Sequence, residues 1–447
     1  MRKQAHYRFF VLLLVTLVPS ACAVSGNSNS ITASAGNERT HDLEFASPES
    51  VGISPSRLAR LESGMNAFVD NGQLAGVVTL VARHGKIAHL SAEGMKDVET
   101  GTPLETDSIF RIYSMTKPIT GVAMMLLHEE GKWRLDDPVS KYVPEFSNLQ
   151  VFAGEGANSE SWLENEESPM TMRQLMTHSS GLSYGFGDHP VDQRYQEANI
   201  FDVNAPLQSM IDKLAKIPLL VQPGTRWVYS ISVDVQGYIV EKLSGQPLGD
   251  FFKTRIFDPL EMSDTAFYVP QEKADRLAKI HAIGEDGKLH PNPQMFGLLG
   301  SDPTVPPVLP LGGAGLFSTA EDYAQFAQML ANNGELNGVR ILAPRTVEMM
   351  RTSHLSPQAE TTMTPGLGFG LDFAVVLDSA AAGEPSREGS YYWSGAAGTW
   401  FWIDPETDLV FVGMIQHQGP AIGEIQGLSR NLVYQAIMTT GGNGSRH

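Results

Sequence analysis

The sequence predicts an α/β fold of the α+β kind: an antiparallel sheet flanked by helices, joined to a mainly helical subdomain. Three observations lead there. Apolar strand patterns separated by tight turns lie near the two ends of the chain, at residues 76–92 and 368–416. Between about 134 and 310 such signals are sparse, and helical periodicity, loops and proline-rich turns alternate. An amphipathic helix stands before the first strands and another after the last. Strands at both ends with helices between them build one sheet from both termini and make the helical part an insertion. The domain is placed at 45–440, with an α/β part at about 45–113 and 311–440 and a helical part at about 114–310. No internal repeat is visible.

A chain of 447 residues, 42% of them hydrophobic, can bury a large core. Its net charge of -18, with no basic run beyond the first residues, argues against a nucleic-acid partner. Plain solubility accounts for the acidity. Residues 1–23 read as a signal peptide: Arg2, Lys3 and Arg8, an apolar run over 9–18 too short to span a bilayer, then Ser20, Ala21, Cys22 and Ala23. Cys22, the single cysteine, resembles the lipid-attachment cysteine of bacterial lipoproteins, although Pro19 stands where leucine is usual. Ordinary cleavage after Ala23 is the competing reading. Either way an exported protein is expected, periplasmic or anchored to the outer membrane of a bacterium, without a structural disulfide. Residues 24–44, rich in Ser, Asn, Gly and Thr, read as a flexible tether.

Ser54-Pro55 starts the first helix, as N-cap and first helical residue, and Leu58, Leu61, Met65 and Phe68 recur at helical spacing up to Gly72. Residues 76–83 form a buried strand, His84-Gly85 the turn, and 86–92 the hairpin partner. The next helix carries the stripe Ile119, Val122, Ala123, Leu126 and Leu127 and stops at Gly131. Leu135-Asp136-Asp137-Pro138 opens a short helix, and the acidic stretch 155–167 is expected to be a solvated loop. Thr171 caps a short helix ending at Ser180-Gly181, and a further helix over 234–243 closes at Gly245. Ser318-Thr319-Ala320-Glu321 reads as a capping box for a helix whose core face is Tyr323, Phe326, Met329 and Leu330. Antiparallel strands follow at 368–376, 391–393, 398–403 and 409–416, one turn being Asp404-Pro405-Glu406-Thr407, and a terminal helix at about 428–438.

Ser114 and Lys117 stand where the second helix opens. A three-residue step returns nearly a full turn, so the two share a face. Ser114 then occupies a helix N-terminus, where free N–H groups and the dipole favour developing negative charge. A hydroxyl is a poor nucleophile until a neighbour takes its proton, and Lys117 supplies such a neighbour. Ser-x-x-Lys also arises by chance in a chain this long, so its companions decide.

Ser-x-x-Lys at a helix start, inside a sheet split between both chain ends, belongs with the penicillin-recognising serine hydrolases. Their Tyr-x-Asn signature is half matched by Pro223-Gly224-Thr225-Arg226-Trp227-Val228-Tyr229-Ser230-Ile231, with Tyr229 for the tyrosine and Ile231 for the asparagine. Their Lys-Thr-Gly is absent; Trp393-Ser394-Gly395-Ala396-Ala397-Gly398-Thr399 opens a late strand in its stead. Together with Leu135-Asp136-Asp137-Pro138, His178-Ser179-Ser180-Gly181-Leu182 and Gly312-Gly313-Ala314-Gly315-Leu316-Phe317-Ser318-Thr319, the pattern resembles the family VIII carboxylesterases, the esterase branch of the class C β-lactamase family. The resemblance runs over roughly 45–440.

That resemblance implies a β-lactamase/transpeptidase-like fold with Ser114 in the crevice between its two parts. It also implies hydrolysis of a short-chain carboxylic ester through an acyl-Ser114 intermediate, with no cofactor. It makes Tyr229 the group that takes the Ser114 proton and returns it to the leaving alkoxide while Lys117 lies close by, although whether lysine or tyrosine is the base stays open. The oxyanion hole is expected from the Ser114 and Ala396 N–H groups, and substrate contacts from Trp393, Ser394, Gly395 and Ile231. A β-lactamase or D-Ala peptidase, a peptidoglycan-binding sensor that acylates without turnover, and an acyl transferase would share this chemistry. Trp393 and Ile231 lack the cation and the amide that meet the polar groups of a penicillin, so neutral esters are favoured. Ser230, Ser232 and Arg387 are neighbours that could compensate.

Gly181-Leu182-Ser183-Tyr184-Gly185 matches Gly-x-Ser-x-Gly, but that nucleophile elbow needs a strand-to-helix turn. A short helix precedes it here and an irregular loop follows, so Ser183 reads as a turn residue. Gly366-Leu367-Gly368-Phe369-Gly370 lacks the context of a nucleotide loop and reads as strand entry. The twelve histidines show no metal-binding spacing, so no metal is implied, and structural roles are favoured for His178 and His417.

Overall fold

Successive residues of a strand face opposite sides of its sheet, so a strand covered on both sides is apolar at nearly every position. That is why residues 76–82, interrupted only by Thr79, and 409–414 read as apolar runs. In the strand Gly76–Arg83, Val77 and Val81 enter one core while Val78, Leu80 and Ala82 enter the other. Trp400 and Trp402 likewise oppose Phe401 and Ile403, and Leu409 and Phe411 oppose Val410 and Val412. The computed structural model describes residues 43–155, 161–292 and 302–439. The leader, Cys22 and the tether up to residue 42 lie outside the described residues.

One antiparallel eight-stranded sheet is assembled from both ends of the domain. Its order is Leu367–Phe369, Ala374–Val376, Tyr391–Ser394, Trp400–Asp404, Leu409–Met414, Gly76–Arg83, Lys86–Asp97, Thr102–Pro103. The junction between early and late strands is central, with Val78 opposite Met414 and Arg83 opposite Leu409. The helices Pro55–Asp70 and Ala421–Tyr434 share the core on one face with Trp400, Trp402 and Phe411. On the other face lie the helix Ala320–Ala331 and the large core that continues into the helical part.

Arg83 fastens the two ends together. Its guanidinium is fully buried and donates to the carbonyls of Val51 and Gly52 at 3.0 Å, Thr407 at 3.0 Å and Thr439 at 2.7 Å. Removing it strands several buried acceptors, each worth roughly 1–3 kcal/mol. Arg83→Met is expected to destabilise the domain by about 3 kcal/mol or more, read as a lower urea midpoint. An unchanged midpoint would contradict this role.

Several elements differ from the sequence reading. The acidic stretch expected as a solvated loop contributes to a hairpin, Gln150–Glu155 with Ser161–Asn165, whose Val151 is buried against the core. The capping frame at 318–321 shifts by one residue: Thr319 is the N-cap, accepting from the Asp322 N–H at 3.2 Å. The helix capped by Thr171 stops at Met176, short of Gly181, because the chain turns at His178, whose φ is 54°. Residues 368–376 are two short strands rather than one, because the chain turns between them at Asp372, whose φ is 66°. Leu135-Asp136-Asp137-Pro138 leads into a 3-10 turn at Val139–Lys141, not a helix. The terminal helix begins at Ala421, well before the expected 428, because Ala421 and Ile425 are buried against the sheet. Among the described residues no helix is long and apolar enough to cross a membrane.

Candidate active site

The α-helix of the Ser-x-x-Lys segment starts at Thr116, and Ser114 lies in the 3-10 turn Tyr113–Met115 that feeds it. Tyr113 has a φ of 43°, a left-handed conformation that a bulky residue holds only when its surroundings enforce it. Here Tyr113 is buried against Ile280 and Ala397. The turn leaves Ser114 half-buried while Lys117, one step into the helix, is fully buried. Three-residue spacing still brings the two together: Lys117 Nζ donates to Ser114 Oγ at 3.1 Å.

Tyr229 approaches Ser114 from the other side. Its hydroxyl lies 2.7 Å from Ser114 Oγ, and Lys117 Nζ sits 4.7 Å from its ring centre. The Tyr229 ring is held by aromatic neighbours, with His178 at 4.8 Å, Trp393 at 5.5 Å and Trp227 at 6.1 Å between centroids. His178 is a buried packing group. Its Nδ1 accepts from the Ser230 N–H at 3.2 Å, and burial with Lys117 nearby drives its pKa well below the usual range, so the ring is neutral.

Lys117 has two further partners, at 2.8 Å the Tyr184 hydroxyl and at 2.7 Å the Gly313 carbonyl. An ammonium has three N–H donors, and three acceptors surround this one. Burial, reinforced by Asp234 and Tyr229, pushes Tyr184 well above the usual phenol range, so its hydroxyl keeps its proton. The negative charge nearby belongs to Asp234, which is buried and accepts the Gly313 N–H at 2.8 Å. Burial raises its pKa to about 6 despite the opposing pull of Lys117 and that hydrogen bond. A Cβ at Gly313 would come within 2.6 Å of Asp234 Oδ2, so only glycine permits this approach. Asp372 is a second buried carboxyl, bonded by Gln236 Nε2 at 3.1 Å, and burial pushes its pKa well above the usual range.

The loop beginning at Trp393 closes on the same segment. Gly395 is buried, and a Cβ there would lie 2.3 Å from the Ile112 carbonyl, while Thr399 Oγ1 donates to that carbonyl at 3.2 Å. Ala396 follows in an exposed turn; Trp393 and Ser394 are half-buried. Ile231 departs from expectation. Its side chain is fully buried in the core and its N–H donates to the Ser183 carbonyl at 3.1 Å, so it offers no surface to a substrate. It leads instead into the helix Ser232–Ser244. The neighbours named as possible compensators are engaged elsewhere. Ser230 and Ser232 are buried, with their hydroxyls 2.8 Å apart, and Arg387 pairs with Glu406.

Three groups around Lys117 escaped the sequence reading: Tyr184, Asp234 and Asp372. Tyr184 sits inside the Gly-x-Ser-x-Gly match, directly after Ser183. Ser183 itself is buried, donating to Asp192 and accepting the Gly185 N–H at 3.2 Å. Among the described residues no group of three or more His, Cys, Asp or Glu side chains is arranged to hold a metal ion.

Comparison with known proteins agrees with this architecture. The Beta-lactamase family model matches residues 60–433. Protein Rv1367c of Mycobacterium tuberculosis is 34% identical over 80% of this chain and 89% of its own length. Esterase EstB of Burkholderia gladioli is 33% identical over 77% of this chain and 87% of its own. The solved structure of EstCE1, described as a hydrolase with promiscuous acyltransferase activity, superposes with a TM-score of 0.73 at 29% identity, covering 85% of this chain and 99% of that one. The chain therefore belongs to the beta-lactamase family, on its family VIII esterase branch.

Proposed function

We propose that this protein is a carboxylesterase that cleaves short, uncharged esters through an acyl-Ser114 intermediate. The observation that carries the reading is the position of Ser114 Oγ, 2.7 Å from the Tyr229 hydroxyl and 3.1 Å from Lys117 Nζ. Three acceptors occupy the Lys117 donors, so in this reading Tyr229, whose oxygen lies closer to Ser114 Oγ, is the base. In that scheme the Tyr229 phenolate takes the Ser114 proton as Oγ bonds to the ester carbonyl carbon. The resulting phenol returns the proton to the leaving alkoxide. Water then enters, loses a proton to Tyr229 and attacks the acyl carbon, and Ser114 recovers its proton as the acid departs. Negative charge on the carbonyl oxygen would be met by the Ser114 and Ala396 N–H groups.

Substrate polarity follows from Trp393. A penicillin carboxylate set against an indole loses charge-assisted hydrogen bonds of about 1.5–3 kcal/mol. Lost only in the transition state, this lowers kcat/KM by roughly one to two orders of magnitude. A neutral ester loses nothing there. The test compares kcat/KM for 4-nitrophenyl butyrate and benzylpenicillin, in the wild type and in Trp393→Lys. The wild type is expected to favour the ester strongly, with the substitution shifting the ratio towards penicillin. A wild type that prefers penicillin would overturn the reading.

A further inference from the structure

Phe186 is 62% exposed, yet it is held in place. Gly185 has a φ of 75°, and a Cβ on it would meet Tyr195 Cβ at 2.4 Å, so the loop lies tight against the helix Pro190–Glu197. Gln196 Nε2 donates to the Gly185 carbonyl at 2.7 Å and to the Gly187 carbonyl at 3.3 Å. The Ser183 hydroxyl, bonded to Asp192, accepts the Gly185 N–H. The Gly-x-Ser-x-Gly segment is thus the scaffold of a loop that presents a phenyl ring to solvent.

The ring is also directed by the site. It lies flat against Tyr184, with centroids 5.0 Å apart and 6° between the planes, and Phe201 lies near-parallel at 6.5 Å. The Tyr184 hydroxyl accepts from Lys117 Nζ, which donates to Ser114 Oγ. An unbroken series of contacts therefore runs from the reacting oxygen to an exposed aromatic face. A planar apolar group laid on that face would displace water from it and gain stacking. Asp188, exposed two residues further on, and Asp192 behind the loop disfavour an anionic group there.

We propose that Phe186 is a specificity-determining residue of the ester site, and that its ring receives a phenyl-like, uncharged part of the substrate. This rests on the assignment of Ser114 as the acylated residue. The test measures kcat/KM for benzyl acetate, ethyl phenylacetate and ethyl butyrate with wild type, Phe186→Ala and Phe186→Trp. The two aromatic esters separate an aromatic alcohol from an aromatic acyl group. Phe186→Ala is expected to lower kcat/KM for at least one of them by about 3- to 10-fold. Ethyl butyrate should change less than about 2-fold, and Phe186→Trp should restore the aromatic ester. Equal losses on all three esters would assign Phe186 a structural role and overturn the proposal, as would no loss on either aromatic ester. An inactive wild type would overturn the esterase reading as well, whereas an active one with an indifferent Phe186→Ala variant overturns this inference alone.

Discussion

Ser114→Ala is expected to reduce ester hydrolysis by on the order of 10⁴-fold or more, to the level set by binding and oxyanion contacts alone. Ser183→Ala should retain activity within about 10-fold, the scale of a modest loss of local stability. The contrast follows from what each hydroxyl touches. Ser114 is half-buried, with a lysine and a tyrosine on its oxygen. Ser183 is buried, and its oxygen is already committed to Asp192 and the Gly185 N–H. Losing those bonds loosens the loop carrying Tyr184 and Phe186, so some decrease is expected, but no nucleophile is removed. Initial rates on 4-nitrophenyl butyrate, with circular dichroism as a control for folding, separate the two. Comparable losses in both variants would contradict the assignment.

Lys117→Met removes the cation that organises the site and is expected to lower kcat by roughly a hundred- to ten-thousand-fold. The Ser114 hydroxyl, the Tyr184 hydroxyl and the Gly313 carbonyl each lose a partner. Asp234 loses the opposing charge that holds its pKa down, so its pKa rises further and proton uptake is favoured. That uptake limits the stability lost, and activity should fall far more than the unfolding midpoint moves. The Asp234 carboxyl, raised from 3.8 to about 6, also sets a pH dependence. The native state holds this proton more tightly than the unfolded chain, so the group's stabilising contribution is complete below 3.8 and is lost as pH rises through about 6. Activity is expected to run the other way, because only the ionised Asp234 carboxylate places a negative charge beside the Ser114, Lys117 and Tyr229 cluster. kcat/KM should therefore rise with pH through an apparent pKa near 6, and Asp234→Asn should remove that limb. An acid limb unchanged in Asp234→Asn would contradict the pairing.

Much of this was legible because it is local. A three-residue spacing fixes the Ser114–Lys117 contact wherever a helical turn forms, and alternation with tight turns marks the strands whatever they pair with. The sheet joining both ends was readable for the same reason, since the runs at 76–83 and 409–414 are too apolar to lie against water. What depended on distant packing was not readable. Tyr184 reaches Lys117 across 67 residues of sequence, and nothing in its neighbours announces that its hydroxyl turns inward. Asp234 reads as an ordinary first-turn acid of its helix until Gly313 is seen to close over it. Ile231 was expected to face substrate because asparagine occupies that place in related enzymes, but an isoleucine gains more by entering the core. The pairing of Gln150–Glu155 with Ser161–Asn165 was hidden by the acidic residues of that stretch, although Val151 in its first strand is buried against the helical core.

The identity of the acylated residue can be read directly. Wild-type protein treated with an active-site-directed alkyl phosphonate, digested and mapped by mass spectrometry should carry the phosphonyl group on Ser114. The same treatment of Ser114→Ala should leave the protein unlabelled. A phosphonyl group on Ser183, or labelling that persists in Ser114→Ala, would contradict the assignment of Ser114 as the nucleophile and everything built upon it.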